Sequence, residues 1–173
     1  MYFPYFFWLT IVIFTNYITY KRKIINKSNP LNDICHSNLV NLSKYKYICD
    51  LFPFINIWLV NNYRTYLFNH AILVILRFIC FHSTILPSPM DLKLRFSFYI
   101  IPNFTYDLIF SGHTMTCILA IYFTDYVYIC IINSILCSIS VILTKEHYTI
   151  DVIIAWLASY VITSIVNKYS INQ

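Results

Sequence analysis

The chain has 173 residues, of which 59% are hydrophobic and 11% are charged. Its mean hydropathy is +0.64. Soluble domains contain about 25% charged residues, so this composition excludes an ordinary soluble protein and indicates an integral membrane protein. The net charge is +5, but basic residues are few and no nucleic-acid-binding module is visible, which argues against a nucleic-acid partner. At this length a single membrane domain over residues 1–173 is expected.

Apolar segments along the chain predict an all-α fold, a six-helix transmembrane bundle. The segments run over residues 2–20, 51–61, 66–86, 108–123, 126–143 and 147–166. A hydrocarbon core of about 30 Å requires about 20 apolar residues per helix, so the second segment, which Pro53 opens, is short. The first segment lacks the charged region and the cleavage site of a signal peptide, so we interpret it as a retained span. A polar loop over residues 21–50 separates these two segments.

Two polar clusters lie at the beginning of the fourth and sixth segments. The first cluster surrounds the one glycine of the chain and reads Phe110-Ser111-Gly112-His113-Thr114. The second cluster reads His147-Tyr148-Thr149-Ile150-Asp151. Two spans separate these helix ends, so both clusters are expected on one membrane face. The polar loop is expected on the same face.

The second cluster has the spacing of a catalytic pair. His147 and Asp151 are four residues apart and share one face of a helix. A carboxylate there can fix the tautomer of the imidazole and leave its other nitrogen free as a nucleophile. His113 can then act as a general acid on the departing oxygen. The pattern favours phosphoryl transfer through a phosphohistidine.

The first cluster has the features of a phosphate site, because helix N-termini attract anions. Ser111, Thr114 and the amides around Gly112 are candidate phosphate ligands. Asp107 is a candidate N-cap of this helix or a partner of His113. Arg77, in the third segment, either neutralises phosphate charge or has a structural role in the membrane.

Other polar side chains have plainer interpretations. His70 and His82 are expected to pack between helices. Cys35 and Cys49 lie in one polar loop and form either a disulfide or two free thiols. A zinc site formed by His113, His147 and Asp151 is conceivable, but no fourth donor is evident. No cofactor motif is present, and the proposed chemistry requires neither a cofactor nor a metal.

At these residues the chain resembles the lipid phosphatase and phosphotransferase superfamily (PAP2-like), and within it the sphingomyelin synthase-related branch. Asp-Leu-Ile-Phe-Ser-Gly-His-Thr, from Asp107 to Thr114, is similar to that branch's Cys-Gly-Asp-x-x-x-Ser-Gly-His-Thr motif. His-Tyr-Thr-Ile-Asp-Val, from His147, is similar to its His-Tyr-Thr-x-Asp-Val motif. The third-segment motif ends in Thr-Ile-Leu-Pro-Ser-Pro, from Thr84, like the branch's Thr-x-Leu-Pro-x-Pro. Asp50 opens a segment where the branch has an acidic, proline-containing motif. The resemblance covers roughly residues 30–165.

The resemblance implies a triad of His113, His147 and Asp151, with His147 as the nucleophile. It implies transfer of a head group, phosphocholine in the best-known members, from a glycerophospholipid to ceramide or a diacylglycerol-type acceptor. Phosphatidylcholine and ceramide then give sphingomyelin and diacylglycerol. The chain departs from the branch at Thr105-Tyr106, where the branch has Cys-Gly, and after Arg77, where it has a second arginine. These departures concern the choice of the donor lipid and the binding of its phosphate.

Two alternatives stay open. The classical lipid phosphatase branch has Lys-(x)6-Arg-Pro and Ser-Arg-(x)5-His-(x)3-Asp, whereas this chain contains no Arg-Pro and has Thr-Lys-Glu before His147. A phosphatase would use water as the acceptor where a transferase uses a lipid hydroxyl. The other alternative is a lipid-binding protein with an inactive site. The sequence leaves the oligomeric state open.

The distribution of charge and the resemblance give opposite orientations. The polar loop contains six Lys and Arg residues. The positive-inside rule would place this face in the cytoplasm, whereas the resemblance implies a luminal or exoplasmic site in the Golgi, the endoplasmic reticulum or the plasma membrane. Further basic residues on the predicted catalytic face are Lys93, Arg95 and Lys145, and those on the other face are Arg64 and Lys168.

Overall fold

The computed structural model describes residues 3–21, 31–84, 95–96, 102–103 and 109–171. These residues form seven α-helices, a 3₁₀ helix and a short antiparallel strand pair. The helices are α1 Phe3–Lys21, α2 Ile34–Asn38, α3 Leu51–Trp58, α4 Tyr63–Ser83, α5 Gly112–Ile121, α6 Val127–Leu143 and α7 Thr149–Ile171. The 3₁₀ helix is Ser43–Asp50, and β1 Arg95–Phe96 pairs with β2 Pro102–Asn103.

A helix lies at each of the six predicted positions, and the helical class is confirmed apart from the strand pair. Two of the helices at these six positions are much shorter than the thickness of a bilayer. The helix α3 has 8 residues and α5 has 10, which correspond to about 12 and 15 Å at 1.5 Å per residue. Among the described residues, one helix is both long and apolar enough to span a membrane, over Thr149–Val166 of α7. The six-span bundle therefore stays a prediction.

The polar loop predicted over residues 21–50 contains two short helices in its described part, α2 and the 3₁₀ helix. It packs against the end of α6, because the Leu42 amide donates to the Leu143 carbonyl at 2.9 Å. Cys49 Sγ lies 3.4 Å from Thr144 Oγ1 in the same contact. All six cysteines are free, so Cys35 and Cys49 are not joined by a disulfide.

The helix α5 lies at the centre of the fold and contacts α3, α4, α6 and α7, while α1 packs against α4. Every residue from 114 to 120 is buried. The buried amide of Asn56, on α3, donates to the Cys117 carbonyl at 3.1 Å and to the Cys130 carbonyl at 3.3 Å. Asn133 Nδ2 in turn donates to Asn56 Oδ1 at 3.1 Å. One side chain thus ties three helices together, as buried polar groups do in helical membrane proteins.

The connection between α6 and α7 is a Schellman turn. Lys145 adopts the left-handed conformation, with φ of 57°. Its amide donates to the Ile142 carbonyl at 3.0 Å, and the Glu146 amide donates to the Val141 carbonyl at 3.1 Å. These two bonds satisfy the last carbonyls of α6 in the pattern that usually requires glycine. The turn places His147 two residues before the beginning of α7.

Candidate active site

The two clusters predicted from sequence meet at one end of the structure. The Ser111 amide, at the N-terminus of α5, donates to the Asp151 carbonyl in the first turn of α7 at 3.2 Å. His113 lies in the first turn of α5, and His147 lies two residues before α7 begins. The N-termini of both helices therefore face one region, as the number of helices between them predicts.

His147 and Asp151 form a buried but long contact. His147 Nδ1 lies 3.5 Å from Asp151 Oδ2, and the two side chains are 8% and 1% exposed. This distance is too long for a hydrogen bond. Neither His147 Nδ1 nor Asp151 Oδ1 has a hydrogen-bond partner among the described residues. Catalytic hydrogen bonds are often long in an enzyme without its substrate.

Asp151 also holds the beginning of α7. Its Oδ2 atom accepts a hydrogen bond from the Tyr148 amide at 3.0 Å. An acidic residue three positions after the N-cap commonly bonds back to the N-cap amide in this way. One carboxylate oxygen therefore fixes the helix start and faces the imidazole at the same time. With Nδ1 of His147 facing Asp151, Nε2 is the atom left for nucleophilic attack.

His113 has a closer carboxylate partner. Its Nε2 atom lies 2.8 Å from Oδ1 of Asp50, and the side chains are 10% and 1% exposed. Asp50 is the last residue of the 3₁₀ helix. Because a carboxylate only accepts hydrogen bonds, Nε2 of His113 bears the hydrogen, and Nδ1 is the atom that can exchange a proton with a substrate. The sequence marks Asp50 only as part of an acidic motif, without a role.

Arg77 lies directly over the beginning of α5. Its Nε atom donates to the Phe110 carbonyl at 2.7 Å. A Cβ atom added at Gly112 would lie 3.2 Å from Arg77 Cζ and 3.4 Å from its Nη2. Gly112 therefore leaves room for the guanidinium, and its own φ is not positive. A fixed positive charge and a helix N-terminus coincide here, which is an arrangement suited to an anion.

Of the remaining predicted phosphate ligands, Ser111 and Thr114 lie within the described residues and Asp107 does not. Ser111 Oγ accepts from the Thr114 amide at 3.3 Å, so Ser111 is the N-cap of α5. The Thr114 hydroxyl is buried and has no hydrogen-bond partner among the described residues. Asp107 lies outside the described residues. The two roles considered for it, capping α5 and holding His113, belong to Ser111 and Asp50 in the described part of the chain.

A second acidic residue outside the predicted set caps two helices at this end. Asp33 Oδ2 accepts from the Thr149 amide at 2.7 Å, and Oδ1 accepts from the Cys35 amide at 2.9 Å. Burial opposes ionisation of Asp33, but the bonds from Thr149 and His36 outweigh it and hold its pKa below the ordinary 3.8. A lowered pKa stabilises the fold at pH values above 3.8 and loses that effect as pH falls through the folded value.

His70 packs between helices, as expected, whereas His82 contacts its own helix. Trp8 Nε1 donates to His70 Nδ1 at 3.0 Å, so His70 Nε2 bears the hydrogen and donates to Thr116 Oγ1 at 3.1 Å. These bonds join α1, α4 and α5. His82 Nδ1 lies 2.9 Å from the Phe78 carbonyl of its own helix. In the described ranges, no group of three or more His, Cys, Asp or Glu side chains is arranged to hold a metal ion.

Residues 106–169 match a family described as "PAP2 superfamily C-terminal". This match supports the PAP2-like superfamily. The matched range contains α5, α6 and most of α7, and with them His113, His147 and Asp151. It fits a lipid phosphatase or phosphotransferase that acts on phosphorus-containing groups. The family is typically membrane-associated. No curated protein matches the chain significantly.

Proposed function

We propose that this chain is a membrane lipid phosphotransferase. It moves a phospho-head group, phosphocholine in the first instance, from a glycerophospholipid to ceramide or a related lipid alcohol. The observation that supports this most directly is the placing of two buried imidazole–carboxylate pairs at adjoining helix N-termini. His147 with Asp151 and His113 with Asp50 supply one nucleophile and one acid–base group.

In the first half-reaction, Nε2 of His147 attacks the phosphorus of the donor lipid. The bond between phosphorus and the diacylglycerol oxygen breaks as the new N–P bond forms. The departing oxygen takes a proton from His113, and diacylglycerol leaves. Asp151 stabilises the positive charge that develops on the His147 ring. The head group is then bound to His147 as a phosphohistidine.

In the second half-reaction, the hydroxyl of the acceptor lipid gives its proton to His113 and attacks the same phosphorus. The N–P bond breaks, and its electron pair returns to His147. His113 is again protonated and His147 is again neutral, so both histidines recover their starting states. Asp50 holds Nε2 of His113 in both half-reactions, which leaves Nδ1 to exchange the proton.

The charge of the transferred group is matched by groups at the beginning of α5. Phosphoryl transfer depends mainly on positioning and on stabilising the charge of the phosphoryl oxygens. The Arg77 guanidinium and the amides around Gly112 and His113 provide positive and dipolar partners at one place. The Thr114 hydroxyl, buried in the first turn of α5, is a further candidate donor.

A transfer assay in proteoliposomes tests the proposal. Fluorescent ceramide and fluorescent diacylglycerol are offered separately with phosphatidylcholine, phosphatidylethanolamine or phosphatidylinositol. A new phosphosphingolipid made by the wild type and lost in His147→Ala supports the transferase and identifies the head group. His82→Ala is the matched control, because it removes an imidazole whose Nδ1 atom bonds to the Phe78 carbonyl of its own helix.

The same assay separates the alternatives. Free phosphate or phosphocholine without a lipid product indicates a lipid phosphatase that uses water. Lipid binding without turnover under every pairing indicates an inactive site. Either outcome rejects the transferase.

We further propose a multi-pass protein of the endomembrane system or the plasma membrane, with the site facing the lumen or the exterior. Asn41-Leu42-Ser43 forms a native glycosylation sequon at the catalytic end, and Asn41 is exposed. A glycan on Asn41 that is lost in Ser43→Ala would place the site on the luminal side. An unmodified Asn41, with a sequon introduced near Arg64 glycosylated instead, would place it in the cytoplasm.

A further inference from the structure

The segment before the 3₁₀ helix binds the backbone of the candidate nucleophile, His147, and the two residues that follow it. We call Leu31, Asp33 and His36 the α7 clasp. Asp33 accepts two hydrogen bonds from Thr149, one from the amide at 2.7 Å and one from the hydroxyl at 2.9 Å. These bonds join residues that are 116 positions apart. The carboxylate thereby ties α2 to the first turn of α7.

His36 contacts the candidate nucleophile's own backbone. Its Nε2 atom lies 3.0 Å from the carbonyl oxygen of His147. A carbonyl only accepts, so the imidazole donates this bond. The His36 ring also lies against the ring of Tyr148, with centroids 5.7 Å apart and planes inclined by 30°. The backbone of His147 is therefore held by a side chain of α2.

The third contact of the α7 clasp joins Leu31 and Tyr148. The Leu31 amide donates to the hydroxyl oxygen of Tyr148 at 3.0 Å. Tyr148 is 2% exposed, so its ring is fixed in the interior. The clasp thus holds each of the three consecutive residues His147, Tyr148 and Thr149. The Asp33 carboxylate is ionised at neutral pH, because the hydrogen bonds that it accepts keep its pKa low despite burial.

We propose that Asp33 and His36 are positioning residues that set the orientation of His147 for attack on the phosphorus. The proposal rests on the proposed function. His147 lies outside α7 and faces Asp151 at 3.5 Å, so its own carboxylate does not lock the ring by a short bond. The position of the imidazole then depends on the backbone at residues 147–149, which the clasp fixes.

The clasp is expected to affect turnover more than substrate binding. The groups proposed to bind phosphate lie on α4 and α5, whereas Asp33 and His36 bond to Thr149 and to the His147 carbonyl. Displacement of a catalytic group by about 1 Å can cost about 100-fold in rate. Loss of the clasp should therefore lower kcat and leave KM nearly unchanged. A residue that only stabilises the fold would lower the amount of active protein and leave kcat per active site unchanged.

The test compares four variants in the transfer assay, with active sites counted by the burst of diacylglycerol in a single turnover. Asp33→Ala and His36→Ala remove the clasp. His36→Gln keeps an amide donor close to the position of Nε2. Ser37→Ala is the matched control, since the Ser37 hydroxyl donates at 2.9 Å to the Ile34 carbonyl within α2. Thermal unfolding of each variant is recorded alongside.

We expect kcat per active site to fall about tenfold in His36→Ala and about tenfold to 100-fold in Asp33→Ala, with KM within about twofold. His36→Gln should recover most of the loss, and Ser37→Ala should match the wild type. Unchanged kcat per active site in both alanine variants overturns the positioning role, whatever their stability. An inactive wild type overturns the proposed function and this inference with it, so the two failures are distinguishable.

Discussion

The two imidazole–carboxylate pairs of the site are built differently. His147 and Asp151 are four positions apart in sequence, His147 just before α7 and Asp151 in its first turn, yet their closest nitrogen and oxygen atoms are 3.5 Å apart. His113 and Asp50 are 63 positions apart in sequence and meet at 2.8 Å. The local pair is loose and is held through its backbone, whereas the distant pair is a direct hydrogen bond.

This difference matches the two chemical tasks. A nucleophile must approach phosphorus and then release it, so a ring steered by its backbone and by a nearby charge is suited to that step. A general acid must present the same nitrogen in both half-reactions, which a short bond to the opposite nitrogen achieves. The pairs also use opposite ring atoms, because Asp151 faces Nδ1 of His147 and Asp50 binds Nε2 of His113.

The largest effect is expected at the local pair. His147→Ala should reduce transfer by at least about 10⁴-fold, because it removes the nucleophile. Asp151→Asn should cost roughly as much. Its neutral amide oxygen can take the place of Oδ2 beside the Tyr148 amide and His147 Nδ1, but it lacks the negative charge that stabilises the imidazolium. Initial rates in proteoliposomes, with His82→Ala alongside, measure both losses. Near-wild-type transfer by His147→Ala would remove His147 from the role of nucleophile, and near-wild-type transfer by Asp151→Asn would remove Asp151 from the role of stabilising its positive charge.

The rate of transfer should fall less when the carboxylate of the distant pair, Asp50, is replaced by an amide. In Asp50→Asn the amide oxygen can still accept from His113 Nε2, so we expect a loss of about tenfold. In Asp50→Ala the bond is absent, and the loss should approach about 100-fold, within the usual range of general acid catalysis. The comparison uses kcat at saturating donor lipid. If Asp50→Asn were as damaging as Asp151→Asn, the two pairs would not differ in the way described.

A smaller effect is expected at the proposed phosphate site, at the beginning of α5. In Gly112→Ala the new Cβ would press on the Arg77 guanidinium, which is held by its bond to the Phe110 carbonyl. We expect KM for the donor lipid to rise a few-fold. A double-mutant cycle with Arg77→Lys should show a coupling of about 1 kcal/mol. Additive effects would show that Gly112 does not act through Arg77.

The smallest effect concerns the turn that precedes the local pair. Lys145 has a φ of 57°, a conformation that costs an L-residue about 1–2 kcal/mol. Lys145→Gly should therefore raise the stability by about 1 kcal/mol, after the entropy cost of glycine, and leave transfer unchanged. Thermal unfolding in detergent measures the gain. Lys145→Ala, which removes the charge but keeps Cβ, should show none. A gain of equal size in Lys145→Ala would assign the effect to charge.

Features that depend on near neighbours in sequence could be predicted. Apolar segments located the longer helices. The spacing of His147 and Asp151 predicted one shared helix face, whereas α7 begins at Thr149, so His147 lies before the helix and its Nδ1 atom is 3.5 Å from Asp151 Oδ2. The beginning of α5 was predicted at residue 108, but the helix begins at Gly112, because hydropathy does not register the Ser111 cap. The helix α2 has five residues and none buried, so it leaves no periodic pattern to detect.

Contacts between distant residues could not be predicted from local patterns. Asp50 and Asp33 stand in the sequence as single acidic residues beside apolar ones, and nothing near them indicates a partner 63 or 116 positions away. A buried acidic residue must find a donor to be stable, so each was a candidate for a distant contact. Which donor it meets is decided by the packing of α2, α5 and α7. That packing depends on the whole fold.

The most direct test of the account is to trap the covalent intermediate. Purified protein is mixed with a donor lipid that has a radiolabelled head group, without an acceptor, and is quenched in alkali, where phosphohistidine is stable. The account predicts a labelled protein with the adduct mapped by mass spectrometry to His147, absent in His147→Ala and discharged by ceramide. Full transfer with no labelled protein, or a label on any other residue, would contradict it.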